Sequence, residues 1–198
     1  MRKRDRGQRI AGPPSASLNN WSEKLGTGRS EMQVRTEERR DIASIHALNE
    51  AAFQTSTEAN LVDMLRDQAA EFISLVAEEN GSIIGHICFS PVILTSDTAL
   101  KLMGLAPMAV APARQRSGVG SALLRAGLDR CKKTGAAAVV VLGHPQYYPR
   151  FGFSPASRFG IRCEYNVPDE VFMALELERG VLQGKSGTIR YHHAFESV

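Results

Sequence analysis

The sequence has few cysteines and no long apolar run. Its three cysteines, Cys88, Cys131 and Cys163, are far apart and have no metal-ligand spacing, so we expect no metal site. An odd number of cysteines cannot form a complete disulfide framework, and we therefore expect a reducing compartment, the cytoplasm. The longest uninterrupted apolar run, 136–142, is much shorter than the roughly 20 residues that cross a bilayer. We expect no membrane partner.

The excess of positive charge is confined to the beginning of the chain. Residues 1–31 hold seven Lys/Arg against three Asp/Glu, whereas the remainder holds 17 against 18. Because the remainder is not basic, we expect no nucleic-acid partner. Residues 1–31 also lack apolar periodicity and the apolar core of a secretory signal. We interpret them as a disordered basic extension to a single domain over 32–198. A mitochondrial presequence, or translation that truly starts at Met32, is the alternative.

From Met32 onward, apolar residues recur at the spacings of helices and strands. The pattern predicts helices over 37–53, 58–70, 118–134 and, as a short helix, 145–151, and strands over 33–35, 72–78, 82–94, 99–110 and 136–142, with two or three more strands after them. Asn80-Gly81 predicts a hairpin turn. Pro107 cannot donate a ladder hydrogen bond, so it predicts a bulge or a lost pairing in its strand. Together, the predicted helices and strands indicate one α/β domain with a mixed sheet.

The segment PARQRSGVGSALL, residues 112–124, has the spacing of a phosphate-binding loop. Gly118 and Gly120 match the start of a dinucleotide-binding fingerprint, but its third glycine position, 123, is leucine. The alternative GVLQGKSG, 180–187, is not a P-loop because only three residues separate its first two glycines. Backbone N–H groups at a helix start attract phosphate, and glycines let it approach. A tight strand-to-helix turn would explain the same residues.

This loop resembles the acetyl-CoA-binding motif of the GNAT superfamily of N-acetyltransferases, Gln/Arg-x-x-Gly-x-Gly/Ala between the fourth strand and the third helix. A second block, LGHPQYYPRFGFSPAS at 142–157, is similar to the family's Tyr-x-x-x-Gly-Phe segment after the fifth strand. The resemblance covers about residues 33–178. It implies a GNAT-like α/β fold, with a mixed, mostly antiparallel central sheet flanked by helices and a splayed fourth and fifth strand pair. It also implies acetyl-CoA as cosubstrate, without a metal.

The resemblance assigns the coenzyme contacts by position. Main-chain groups expected at the pyrophosphate belong to Gln115, Arg116, Ser117, Gly118, Val119, Gly120 and Ser121, and those expected beside the pantetheine arm belong to Met108, Ala109 and Val110. We also expect the side chains of Arg114 and Arg116 to meet the coenzyme's outer phosphates.

Tyr148 matches the family's frequent general acid. A phenol with a pKa near ~10 stays protonated at neutral pH and can protonate the departing thiolate. A packing role is the alternative, and Tyr147 is the second choice because it is out of register with the family segment. The general base is open, since 101–110 contains no acid. His144 and Glu58 are candidates, beside a water relay or an amine that arrives neutral.

Two functions compete, beside a third idea, an adaptor that binds acidic partners through the basic residues 1–31. The first is transfer of an acetyl group from acetyl-CoA to an amine by direct attack in a ternary complex. The amine would belong to a small molecule, a lysine side chain or a protein N-terminus, and the protein would be a monomer or a homodimer. The second is an acetyl-CoA-binding regulatory or structural protein without turnover, which the missing carboxylate on the fourth strand keeps open.

Overall fold

The structure of the protein is a computed structural model that describes residues 31–197. The extension predicted over 1–31 therefore lies outside the described residues, apart from Glu31. The helices are α1 (Ile42–Phe53), α2 (Thr57–Gln68) and α3 (Val119–Lys133), and the strands are β1 (Gln33–Thr36), β2 (Ile73–Glu79), β3 (Ser82–Leu94), β4 (Asp97–Val110), β5 (Ala138–Leu142), β6 (Ser154–Pro155), β7 (Ile161–Cys163), β8 (Phe172–Glu176) and β9 (Gly187–Arg190). Short 3-10 turns connect several of them.

The strands form one sheet in the order β1-β2-β3-β4-β5-β8-β6, and β9 pairs with both β3 and β7. Only the β4–β5 and β7–β9 pairs among the described strands are parallel. The predicted mixed, mostly antiparallel sheet is thus confirmed. The expectation of two or three strands after β5 was too low, because four are present. Two of them contain only two and three residues, too few to show a period in sequence.

The first helix begins later than predicted, at Ile42 instead of residue 37. A 3-10 turn, Arg39–Asp41, precedes it. The Asp41 carboxylate accepts the N–H of Glu38 at 2.8 Å and two bonds from the Arg35 guanidinium at 2.6 and 3.0 Å. The guanidinium holds the pKa of Asp41 below its usual value. These bonds fix a tight turn in place of a first helical turn. The predicted short helix at 145–151 is likewise only a 3-10 turn, Tyr148–Phe151.

The helices cover opposite faces of the sheet. Phe89 of β3 packs in one buried cluster with Leu123 of α3, and its ring lies against Gly127 of the same helix. Cys88, the neighbouring residue on β3, packs in another cluster with Ile45 of α1. Since successive residues of a strand point to opposite faces, α3 lies on one face and α1 with α2 on the other. The core therefore has two layers that meet at β3.

A bulge interrupts the pairing of β3 and β4. Cys88 faces two residues of β4, Ala106 and Pro107, because the register shifts between Ile87 and Phe89. Pro107 has no N–H to donate, and the ladder resumes on its far side with a different register. The irregularity predicted at Pro107 is confirmed.

The parallel strands β4 and β5 separate towards their C-terminal ends. They pair only where 102–105 lie beside 138–141, yet β4 continues to Val110. The last five residues of β4 therefore have no β5 partner, and beyond the bulge 108–110 pair with β3 on the other side. This is the splayed pair that the resemblance implied, and the loop to α3 follows directly.

Candidate active site

The loop from β4 to α3 has an unusual backbone. After the 3-10 turn Pro112–Arg114, Arg116 has φ of 61° and Gly118 has φ of 94°. Gly118 is the residue that precedes the first turn of α3, and it lies in the left-handed region that side chains disfavour. A glycine at 118 is therefore required by the backbone of the loop.

Unpaired N–H groups collect at the start of α3. The first backbone bond of this helix runs from the N–H of Ala122 to the carbonyl of Gly118 at 3.0 Å. The N–H groups of Val119, Gly120 and Ser121 therefore have no partner within the helix. The positive end of the helix dipole lies at the same place. Both features favour a negative charge at this place.

A cavity of about 470 Å³ lies against this helix start. It is lined by Met108, Val110, Gln115, Arg116, Gly118, Gly120, Ser121, Tyr147 and Arg150. Seven of the ten residues predicted to bind the coenzyme are in this set. The structure therefore brings the end of β4 and the glycine loop together around one space.

The other three predicted residues face elsewhere with their side chains. Ala109 is buried on β4 and Val119 is buried on α3. The hydroxyl of Ser117 donates to the carbonyl of Arg114 at 2.5 Å. Because the expectation concerned main-chain groups, these side-chain positions do not conflict with it.

The two loop arginines differ. Arg116 lines the cavity, whereas the guanidinium of Arg114 pairs with the carboxylate of Glu79 at the end of β2. The expectation that both would be available for outer phosphates is met in geometry only by Arg116.

Tyr147 and Arg150 form the wall opposite the loop. The Arg150 guanidinium lies 4.6 Å from the centre of the Tyr147 ring, and its Nε donates to the Tyr147 carbonyl at 3.2 Å. Residues three apart are stacked in a 3-10 turn, which aligns the two side chains. Arg150 was not among the residues predicted from the sequence. Its spacing of three residues from Tyr147 was the signal that the two side chains could meet. A Cβ on Gly120 would lie 3.1 Å from the Tyr147 hydroxyl oxygen.

Tyr148 is more deeply placed than its neighbour. It is 6% exposed, and its ring packs edge-on against Phe153 and Tyr147 with centroid distances of 5.5 and 5.1 Å. The ring also lies against Gly143, the residue that follows β5. Burial, and to a lesser degree the neighbouring Tyr147, raises the pKa of the Tyr148 phenol. The group is therefore protonated at neutral pH.

The two candidate bases lie in different surroundings. His144 is exposed and lines a cavity of about 570 Å³ that shares Tyr147 and Arg150 with the cavity at the start of α3. Glu58 is in the first turn of α2, where its carboxylate accepts a hydrogen bond from the Thr55 hydroxyl at 2.8 Å. Glu58 lines neither of these two cavities. Of the three predicted catalytic residues, His144 thus lies in the cavity next to the one at the loop, whereas Tyr148 and Glu58 line neither.

The described part of the chain offers no group of three or more His, Cys, Asp or Glu residues arranged to hold a metal ion. Among its helices, none has the length and apolar character needed to cross a membrane.

Comparison with known proteins identifies the class. The family model of the acetyltransferase (GNAT) domain matches residues 33–156, and the chain belongs to this family of acyltransferases. The uncharacterised N-acetyltransferase YhbS of Escherichia coli K12 is 36% identical over 165 residues, which cover 83% of this chain and 98% of YhbS. The uncharacterised N-acetyltransferase YjhQ of the same strain is 40% identical over 134 residues, covering 66% and 74%.

Solved structures agree with the sequence relatives. The crystal structure of E. coli YhbS in complex with CoA has a TM-score of 0.79 and 34% identity, and the match covers 84% of this chain and 93% of that one. A GNAT acetyltransferase from Brucella melitensis in complex with acetyl-CoA has a TM-score of 0.70 and 36% identity, covering 84% and 99%. The fold, the splayed strands and the loop therefore belong to a family with known coenzyme complexes.

Proposed function

We propose that this protein transfers an acetyl group from acetyl-CoA to an amine by direct attack in a ternary complex. One observation carries the proposal: the free N–H groups at the start of α3 and the unpaired edge of β4 line the same cavity. The pyrophosphate of the coenzyme needs an anion site, and the adjoining pantetheine arm needs a hydrogen-bonding edge. The CoA and acetyl-CoA complexes of the two structural neighbours support this placement.

The pyrophosphate is assigned to the loop. Its oxygens would accept the N–H groups of 119–121 and of the loop residues before them, and the helix dipole favours their charge. Gly120 has no side chain to keep the phosphate away. Arg116 and Arg150 line the same cavity and supply positive charge.

The pantetheine arm is assigned to the free edge of β4. In 108–110 the backbone groups on one side bond to β3, where Met108 pairs with Ile87 and Val110 with Gly85. The groups on the other side have no β5 partner, and we assign them to the two amides of the arm; the Val110 carbonyl would exchange its 3.4 Å bond from Gln115 Nε2 for one of them. The thioester would then lie where β4 and β5 stop pairing.

Tyr148 is assigned as the general acid. The amine nitrogen attacks the thioester carbonyl, the resulting tetrahedral intermediate expels the CoA sulfur, and the sulfur takes the phenolic proton. The amine proton passes to water or to His144, and the phenolate is reprotonated from solvent. The position of Tyr148 against Gly143, where β5 ends, supports this role, and the phenol is protonated at neutral pH, the form that a general acid needs.

The test has two measurements. Calorimetry should show that the full chain binds CoA, and a thiol-release assay with acetyl-CoA should show release that depends on an added amine. The amine panel should include small amines, lysine peptides and peptides with free N-termini. Gly120→Glu, which fills the anion site, is the matched control and should show neither signal. If the wild-type chain binds CoA but none of the amines causes thiol release, the result would favour the binding protein without turnover.

A further inference from the structure

The hydroxyl of Tyr147 is a buried polar group without a partner. Its oxygen is inaccessible to solvent and makes no hydrogen bond with any residue in 31–197. It lies 3.1 Å from the point that a Cβ on Gly120 would occupy, and that point is 3.7 Å from Met108 Cε and from Val110 Cγ2. The hydroxyl is therefore aimed at the first turn of α3, where the anion site meets the end of β4.

A buried hydroxyl left without a partner is unfavourable, so its position calls for a ligand atom. The nearby backbone groups at the start of α3 are N–H donors. An atom that satisfies all of these donors at once must be an acceptor, and an anionic oxygen satisfies them best. A phenol can add a further donor to the same oxygen.

The ring that carries this hydroxyl is held in place by its neighbours. Tyr148 packs against it edge-on at 5.1 Å, Phe151 lies at 5.3 Å, and the Arg150 guanidinium covers it at 4.6 Å. The direction of the hydroxyl is thus set before any ligand binds. The two adjacent tyrosines point to different places: Tyr147 towards Gly120 and Tyr148 towards Gly143.

We propose that the Tyr147 hydroxyl donates a hydrogen bond to a pyrophosphate oxygen of the acyl-CoA, an assignment that depends on the proposed function. The hydroxyl that donates this bond lies at the same cavity as the N–H groups of the loop. Tyr147 is then a coenzyme-binding residue, distinct from Tyr148 as the acid. The YY pair divides binding and proton transfer between two consecutive side chains.

The experiment compares Tyr147→Phe with wild type and with Tyr165→Phe, an exposed tyrosine outside both cavities. Loss of one hydrogen bond to a charged oxygen should weaken CoA binding about tenfold or more by calorimetry. At saturating acetyl-CoA, kcat should stay within about threefold of wild type, so the change appears in KM. With S-acetyl-pantetheine, which has no pyrophosphate, Tyr147→Phe and wild type should be equal. Tyr165→Phe should match wild type throughout.

The outcomes are distinguishable. Unchanged CoA affinity in a folded Tyr147→Phe variant overturns the hydrogen bond while leaving the proposed function intact. A fall in turnover with S-acetyl-pantetheine as well would place the hydroxyl at the thioester and also overturns the assignment. If the wild-type chain binds no CoA, the proposed function itself fails. Thermal unfolding of each variant verifies that it is folded, since Phe keeps the ring contacts.

Discussion

The ring of Tyr148 packs against Gly143. A Cβ at position 143 would overlap the ring at Cε2 and would be 2.8 Å from Cδ2. The backbone at 143 is also fixed, because its N–H donates to the carbonyl of Val171 at 2.9 Å. The missing side chain at 143 is therefore what lets the proposed acid reach the end of β5.

Gly143→Ala should displace Tyr148. Small displacements of a catalytic group can lower turnover about 100-fold, so we expect kcat to fall by roughly tenfold to 100-fold. CoA affinity should stay near that of wild type, because the glycine loop is not touched. Steady-state kinetics and calorimetry on the same preparation measure both quantities.

A double-mutant cycle tests whether the ring contact is the cause. Overpacking should lower the free energy of unfolding of Gly143→Ala by about 1–3 kcal/mol. In a Tyr148→Ala background the ring is absent, so adding Gly143→Ala should cost little more. Equal costs in the two backgrounds would show that the strain arises elsewhere.

Gly120→Glu should remove coenzyme binding from a folded protein. Its side chain would enter the cavity beside Tyr147, Met108 and Val110, and its charge would repel the pyrophosphate. We expect a loss of about 2 kcal/mol or more in binding free energy. Gly120→Gln separates bulk from charge and should lose less. Calorimetry that finds wild-type CoA affinity in folded Gly120→Glu would contradict the pyrophosphate assignment.

A buried histidine should make the fold sensitive to acid. His86 of β3 is fully buried. Its Nδ1 lies 3.3 Å from Asn49 Nδ2, and Asn49 Nδ2 also donates to the Ile45 carbonyl at 2.8 Å, so Nδ1 is the acceptor. Its Nε2 then donates to Ser74 Oγ at 3.0 Å. Both ring nitrogens are used by the neutral form.

Charges around this site add to the effect. The pKa of His86 is lowered to about 3, mainly by burial and then by the positive charge of Arg66, while Asp63 opposes both. The Glu37 carboxylate is 4.0 Å from Nε2 but is already bonded to Arg66 and Ser74. No other charge compensates a protonated imidazole among the contacts described here.

The direction in which stability changes with pH follows from the lowered pKa of His86. Above the unfolded-state pKa of about 6.5 both states are neutral and the stability contribution is complete; as pH falls towards 3 only the unfolded state gains the proton. At pH 5 the free energy of unfolding should be lower by about 2 kcal/mol for this reason. Urea unfolding at pH 7.5 and pH 5 should show a smaller loss for His86→Gln than for wild type. His193→Gln, at an exposed histidine, is the control. The same loss in His86→Gln as in wild type would contradict this account.

Features set by local backbone chemistry could be predicted from the sequence. Pro107 lacks an N–H, and the irregularity of β4 appears where the sequence predicted it. The glycine loop likewise lies between β4 and α3, as predicted. The orientation of Tyr147 could not be predicted, because it depends on Gly120, which belongs to a different element. The pairing of β9 with β3 likewise joins segments about 90 residues apart, for which no local pattern exists. The buried position of His86 was equally invisible in a strand of mixed residues.

The first 31 residues should be dispensable, as their composition and charge predict. A chain that begins at Met32 should fold, bind CoA and unfold within a few degrees of the full chain. Met32 itself should be kept, because it packs against the core cluster beneath α3. Differential scanning calorimetry of the two chains makes the comparison. A large drop in Tm on truncation would show that the domain boundary lies earlier.

Tyr148→Phe is the most direct test of the chemistry. The change removes one hydroxyl and keeps the ring that packs against Gly143 and Phe153. If the phenol protonates the departing thiolate, kcat should fall by roughly 10²–10⁴ while CoA affinity stays near wild type. Because burial raises the pKa of Tyr148, the acid should remain protonated above its ordinary value of about 10. The wild-type rate should therefore decline only at higher pH, and Tyr148→Phe should lose that decline.

Tyr165→Phe controls for removal of a phenol elsewhere. Turnover within about threefold of wild type would exclude Tyr148 as the acid and leave protonation of the thiolate to solvent or to Tyr147.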